Sequence, residues 1–183
     1  RLFTGVCTSL CQTNIDDLLR EVLAQTAVAP RIEVVSARPD WVELLVPCER
    51  AVVDRIESFM THLEGDLAVD VRESIGYAFR ELLMNAIEWG GGLDPSRTVR
   101  IAFLKAQRML IYRIADPGPG FNVEGLLHAA IGQPEADATA HAIVREEKAL
   151  RPGGFGILTV RAKVDELLYN EKRNEVVFVK YLD

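Results

Sequence analysis

The run Asp116-Pro117-Gly118-Pro119-Gly120-Phe121 directly follows an apolar stretch that ends at Ala115. A carboxylate at the end of a strand can accept a hydrogen bond from an exocyclic amine such as that of adenine. The two glycines let the backbone approach a planar ligand, and the two prolines stiffen the turn. Taken by itself, the run also fits a plain Pro-Gly turn between two elements.

In chain order the first of three motifs is Glu81-Leu82-Leu83-Met84-Asn85, in a helix that apolar spacing predicts over residues 67–89, and the run that begins at Asp116 is the second. Glu81 and Asn85 are four residues apart, so they share one helix face. The carboxamide oxygen of Asn85 is a hard ligand suited to Mg²⁺. The Glu81 carboxylate could take a proton from a hydroxyl or water near a γ-phosphate. The alternative is a surface Glu beside a buried, hydrogen-bonded Asn.

The third motif, Arg151-Pro152-Gly153-Gly154-Phe155-Gly156, leads into a helix predicted over residues 156–168. Glycines that open a helix place free backbone N–H groups and the positive end of the helix dipole at one spot, which predicts an anion site. No Gly-Lys-Ser/Thr follows, so the run is not a Walker A loop. A flexible glycine loop at a helix start is the alternative interpretation.

The remaining elements follow from periodicity and turn residues. Residues 31–37 and 41–46 predict a β-hairpin, and residues 48–64 predict an amphipathic helix. Strands are expected over 98–104, 109–115 and 175–182, while residues 122–150 form a long connection with a helix near 137–149. Strands interspersed with packed helices indicate an α+β fold, a two-layer sandwich.

Composition excludes several classes of protein. The 183 residues carry a net charge of −6, without the clustered Lys and Arg of a nucleic-acid-binding surface. No apolar run approaches the ~20 residues that span a bilayer, so no membrane partner is expected. Three cysteines (Cys7, Cys11 and Cys48) without a Cys-x-x-Cys pattern indicate free thiols in a reducing cytoplasm. The three histidines have no metal-ligand spacing.

Residues 1–30 stand apart from this pattern. Thr13 and Asn14 precede apolar positions with helical spacing, and Pro30 follows. We expect a helical appendage or a linker from an upstream domain, with the main domain over 31–183. The apolar stripe could pair with a second copy, so a homodimer is one expectation.

The order and separation of the three motifs resemble those of the Bergerat-fold (GHKL) ATPases, which include gyrase, Hsp90, histidine kinases and MutL. The resemblance covers residues 31–183 and is greatest to the RsbW-like anti-sigma-factor serine/threonine kinases, because Glu81 stands four residues before Asn85, where those kinases place an acid. It implies a mixed, mostly antiparallel sheet with helices on one face.

The resemblance also implies roles for individual residues. Asn85 would coordinate Mg²⁺ and contact ATP, and Glu81 would be the catalytic base. Asp116 would bind the adenine amino group, while Gly118 and Gly120 would shape its pocket. Residues 122–150 would form a lid over the nucleotide. The phosphate end of the ATP site would comprise Arg151, Gly154, Phe155 and Gly156.

Two positions depart from the family pattern. Trp89 stands where a His is common, and Asn174-Glu175 stand where Gly-Thr commonly enters the last strand. The first functional hypothesis is a kinase that phosphorylates a small anti-anti-sigma (STAS-type) protein and also binds a sigma factor. Two alternatives stay open: a nucleotide-responsive module that sequesters a regulator without catalysis, and the ATP-binding output domain of a sensor, response-regulator or histidine kinase protein.

Overall fold

The computed structural model describes residues 32–38, 40–121 and 155–182. Six strands form one sheet in the order β1-β2-β3-β4-β6-β5, and three helices accompany it. The strands are β1 Glu33–Arg38, β2 Trp41–Pro47, β3 Thr98–Lys105, β4 Met109–Ala115, β5 Glu166–Tyr169 and β6 Glu175–Tyr181. The helices are α1 Val53–Leu63, α2 Val69–Asn85 and α3 Gly156–Lys163.

The predicted α+β class is confirmed, and so are the hairpin of β1 and β2 and the strands around residues 98–104 and 109–115. The predicted helix over 48–64 consists of a 3₁₀ turn, Arg50–Val52, followed by α1. The predicted helix over 67–89 is α2 followed by a π-helical turn, Ala86–Gly90. Single π-helical turns at the end of or within an α-helix often occur at functional sites.

The sheet differs from the mixed arrangement that the family resemblance implied. Every strand pair in the described part of the chain is antiparallel. Neighbouring strands in the order β1 to β4 are also consecutive in the chain. The β1–β2 and β3–β4 connections are short, whereas α1 and α2 lie between β2 and β3. The insertion of β6 between β4 and β5 places Asn174 beside Asp116, at the end of the sheet where the motifs lie.

The predicted helix over 156–168 was wrong in its second half. Helix α3 ends at Lys163, Val164 is extended, and β5 begins at Glu166. Leu167 and Tyr169 face the core from β5, and the strand pairs with β6. A four-residue segment fits either structure locally, so the hydrogen bonds to β6 select the strand.

The core lies between one face of the sheet and the helices. Alternate residues of each strand point inward, as the two-residue period of a strand requires. At its centre the ring of Tyr112 stacks on Phe178 at 4.6 Å and also contacts Phe79 of α2 and Phe103. The predicted helical appendage (residues 1–30) and the helix near 137–149 lie outside the described residues.

Candidate functional site

Helix α3 brings the third motif against the first. A Cβ added to Gly156, the first residue of α3, would stand closer than 3.0 Å to the carboxylate of Glu81 on α2. The absence of a side chain at Gly156 therefore lets the Glu81 carboxylate lie against the start of α3. This is the positive end of that helix, where a negative charge is favoured. Asn85 follows on the same face of α2, one turn closer to the π-helical turn.

The π-helical turn brings the first motif against the second. It ends at Gly90, and a Cβ there would stand closer than 3.0 Å to the side chain of Asp116. The triplet Gly90-Gly91-Gly92 follows the helical segment in the sequence, a pattern that predicts the end of a helix. Gly90 has a more specific role, since its missing side chain leaves the space that the Asp116 carboxylate occupies. The neighbouring Gly91 similarly accommodates the buried thiol of Cys48.

Asp116 is held at the end of β4 by the loop that follows it. Its Oδ1 accepts a hydrogen bond of 2.7 Å from the backbone N–H of Gly118. Partial burial raises the pKa of the Asp116 carboxyl, against the lowering effects of that hydrogen bond and of the Arg97 charge. The carboxylate is partly removed from water, and the hydrogen bond from Gly118 fixes the position of its Oδ1. Such a carboxylate is well suited to accept a hydrogen bond from a neutral N–H donor.

Arg97 and Asn174 brace this loop, and the sequence did not mark either as a site residue. Arg97 donates to the carbonyl of Pro117 at 2.6 Å and to that of Gly91 at 3.4 Å. Asn174 donates from Nδ2 to the carbonyl of Gly118 at 3.1 Å, and its own carbonyl accepts the N–H of Asp116 at 2.8 Å. The departure from Gly-Thr therefore places a hydrogen-bonding side chain directly against the second motif.

Gly120 and Phe121 connect this loop to the turn between β5 and β6. Gly120 has a φ of +84°, and a Cβ there would collide with the backbone carbonyl of Lys172. A side chain is thus excluded both by conformation and by space. The ring of Phe121 meets that of Tyr169 edge-on at 5.7 Å. Both glycines of the second motif pack against protein atoms, because Gly118 likewise lies against Gly90 and Asp116.

The structure thus places Gly156 against Glu81, and Asp116 and Gly118 against Gly90, with Asn85 between these two contacts along the helix. Gly120 packs against the turn between β5 and β6. Phe155 precedes α3, is 47% exposed, and accepts the N–H of Thr159 at 2.9 Å through its carbonyl. Arg151, Gly154 and the predicted lid over 122–150 lie outside the described residues. Of the predicted phosphate-binding residues, the structure therefore describes only Phe155 and Gly156.

Residues 48–180 match the sequence model of the family described as histidine kinase-like ATPase domain. The match covers most of the chain. The chain belongs to this family. No curated protein matches the sequence closely enough to count as a relative.

Membership of the histidine kinase-like ATPase family makes ATP the ligand of the domain. The matched region contains all three motifs, including the part of the third that the structure does not describe. It begins at Cys48, so the hairpin of β1 and β2 precedes it. Within the described residues, no helix is both long enough and apolar enough to cross a membrane.

The donors for a metal ion in this ATPase domain are few. No cluster of three or more His, Cys, Asp or Glu side chains that could hold a metal occurs in residues 32–38, 40–121 or 155–182. A cation here would need oxygen atoms from the nucleotide and water in addition to one or two protein oxygens. Mg²⁺ binds in this way, and the Asn85 carboxamide offers an oxygen ligand of the kind that it prefers.

Proposed function

We propose that this domain is an ATP- and Mg²⁺-dependent serine/threonine protein kinase of the anti-sigma-factor type. Its substrate would be a hydroxyl group on a small regulatory protein of the STAS class in the bacterial cytoplasm, with a sigma factor as a further binding partner. The observation that carries the proposal is the position of Glu81, whose carboxylate lies against Gly156 at the start of α3. An acid at this place is next to the backbone N–H groups that would hold phosphate.

In this proposal the adenine amino group donates to Asp116, whose carboxylate accepts from the N–H of Gly118 and packs against Gly90, while Arg97 braces the loop through the carbonyl of Pro117. Asn85 would hold Mg²⁺, which would supply charge neutralisation for the phosphates. Arg151, Gly154 and the start of α3 contact the phosphates. Phe155 lies at the same edge.

The chemical step is transfer of the γ-phosphoryl group. The substrate hydroxyl oxygen forms a bond to the γ-phosphorus, and the bond from that phosphorus to the β–γ bridging oxygen breaks. ADP leaves with the electron pair of that bond. The hydroxyl proton passes to the Glu81 carboxylate, which acts as the general base. Positioning and charge neutralisation account for most of the rate enhancement in such reactions.

The test is incubation with radiolabelled ATP, Mg²⁺ and candidate STAS-type proteins, followed by phosphoamino-acid analysis. Glu81→Gln should abolish the labelling of serine or threonine while ATP binding, measured by calorimetry, persists. Glu73→Gln is the matched control, because Glu73 lies two turns earlier on α2 and is exposed. Its labelling should equal that of the unaltered protein.

Two other outcomes would replace the proposal. ATP binding without transfer to any partner, together with ATP-dependent capture of a regulator, would indicate a binding module. Labelling that survives in Glu81→Gln would exclude Glu81 as the base.

A further inference from the structure

The outer face of the sheet, opposite the helices, is divided into a charged half and an apolar half. In the charged half, Arg100 pairs with Glu43 at 2.8 Å and Arg113 pairs with Glu175 at 2.7 Å. The strand registers place these residues at the end of the sheet near Asp116. The charged side chains of this half are therefore paired with each other, as is common on a protein surface.

The apolar half continues across four strands. Register pairs Trp41 of β2 with Leu104, Leu104 with Ile111, and Ile111 with Val179 of β6. Met109 pairs with Tyr181 in the next row of the same face. We call these six residues the outer apolar patch. Trp41 and Tyr181 keep 36% and 49% of their surface exposed. A contiguous apolar patch of this kind usually marks a contact surface.

The chain supplies a candidate to cover this patch. The residues that precede β1 include the segment 13–25, whose apolar positions are Ile15, Leu18, Leu19, Val22 and Leu23. These five positions lie within one stripe of a helical wheel, while Asp17, Arg20 and Ala24 fall on the opposite side. A helix with a single apolar stripe requires a surface on which to bury it.

Length and attachment allow this segment to reach the patch. Ile15 to Leu23 spans about 12 Å along a helix, and the patch extends over three strand spacings, or about 14 Å. The segment joins the sheet at Glu33, which pairs with Leu45, four residues along β2 from Trp41. The intervening strand length is roughly 13 Å, whereas the connecting residues 26–31 can span about 20 Å before the buried Ile32. A tether this short keeps the segment at a high effective concentration near the patch.

We propose that residues 13–25 form an amphipathic helix that docks on the outer apolar patch of the same chain. The docked segment would bury the ring of Trp41 and form a third layer on the sheet, on the side away from the nucleotide. The surface and its occupant are independent of the phosphoryl-transfer chemistry proposed above.

Trp41 itself can report on docking. In a Trp89→Phe background, Trp41 is the only tryptophan of the chain. In the whole chain its emission should be blue-shifted and poorly quenched by acrylamide. Leu19→Asp should shift the emission to the red and raise the quenching constant about twofold, since undocking returns the ring to water.

Ala24→Asp is the matched control, because it adds the same charge to the opposite side of the predicted helix. It should leave both signals unchanged. ATP binding in all variants verifies that the folded domain is retained. Equal quenching of Trp41 in Leu19→Asp and in the control would overturn the proposal. Protection of Trp41 from acrylamide that increases with protein concentration, together with dimers detected by light scattering, would also overturn the proposal. In that case a second copy of the chain would cover the patch.

Discussion

The carboxylate of Glu81 lies in the space that a Cβ on Gly156 would require. These two residues are 75 positions apart in the chain and belong to the two motifs that should handle the phosphates. Their contact means that the start of α3 and the proposed base cannot be altered independently. It also means that a single methyl group at Gly156 can displace the carboxylate without touching Glu81.

Gly156→Ala should therefore impair phosphoryl transfer while leaving the fold intact. The atom in the way is the end of a flexible side chain, so Glu81 can rotate aside. Ala is also favourable at a helix start, and the free energy of unfolding should change by no more than about 0.5 kcal/mol. If Glu81 is the base, the rate of transfer should fall at least about tenfold, because general-base catalysis depends on placement.

The measurement pairs urea unfolding with single-turnover transfer from labelled ATP. Transfer at the unaltered rate would show that Glu81 does not need its place beside Gly156.

Gly90→Ala should destabilise the fold, unlike Gly156→Ala, because the added Cβ meets the Asp116 side chain, which has little freedom to move. Asp116 is held by the N–H of Gly118 and by the strand end, so overpacking should cost about 1–3 kcal/mol of stability. Affinity for ATP should fall as well, since the displaced carboxylate is the proposed adenine acceptor. Denaturant unfolding and calorimetry with an ATP analogue measure the two effects.

Gly76→Ala is the control for this substitution. Gly76 lies in the middle of α2, and an added Cβ there meets nothing within 4 Å. Replacing glycine by alanine in a helix interior should stabilise the protein by about 0.5–1 kcal/mol. Equal effects of the two substitutions would contradict the close contact between Gly90 and Asp116.

Asn174→Asp should weaken nucleotide binding more than it weakens the fold. The substitution removes the Nδ2 donor to the Gly118 carbonyl but keeps an oxygen that can accept from Asn170 Nδ2. The loss of one hydrogen bond is worth about 1 kcal/mol, equivalent to roughly a fivefold loss of affinity if the loop must be ordered to bind adenine. Titration with ATP and with a triphosphate that lacks the adenine amino group separates the adenine contact from the phosphate contacts. An equal loss for both ligands would place the effect outside the adenine end.

Glu64 is a buried acidic residue directly after α1. Its side chain accepts a hydrogen bond from the hydroxyl of Tyr112, and the residue is only 3% exposed. Burial raises the pKa of the Glu64 carboxyl from its ordinary value of 4.5 to about 7, against the lowering effects of Tyr112, Arg72 and Lys105. Burial also raises the pKa of Tyr112 well above its usual range.

Stability should therefore depend on pH through Glu64. Its pKa is higher in the folded chain than in the unfolded one, so its contribution is complete below pH 4.5 and is lost as the pH rises through 7. Glu64→Gln stays neutral and can still accept from Tyr112. The free energy of unfolding of the Gln variant, relative to that of the unaltered protein, should rise by up to about 3 kcal/mol from acidic to alkaline pH.

Urea unfolding of both proteins at several pH values from 5 to 8 tests this expectation. Parallel stability curves would mean that Glu64 titrates equally in the folded and unfolded states.

The sequence predicted most of the fold because long periodic segments report their own structure. The spacing of Ile75, Ala78 and Leu82 predicts a helix, and α2 follows it. Strand β5 was missed because four residues are too few to distinguish a strand from the end of a helix. The helix prediction continued through Leu168 for the same reason. Only the register with β6 makes this segment a strand.

Prediction of the site shows a similar division. The chemistry of Glu81, Asn85 and Asp116 follows from residue type and spacing, and a family resemblance could be drawn from them. Gly90, Arg97 and Asn174 carried no such signal, because each acts through a partner that is distant in sequence. A sequence pattern records which groups are present, whereas contacts of this kind depend on how the chain folds back.

By itself, therefore, the sequence determined the α+β class, the three motifs and the family of ATP-binding domains to which they belong. Local periodicity and residue chemistry were sufficient for these. The tertiary structure decided that Gly156 accommodates Glu81, that Gly90 accommodates Asp116, and that Asn174 braces the loop after β4. Such contacts arise where the antiparallel sheet and the end of α2 bring distant segments within van der Waals distance, and close packing then determines which side chains can be present.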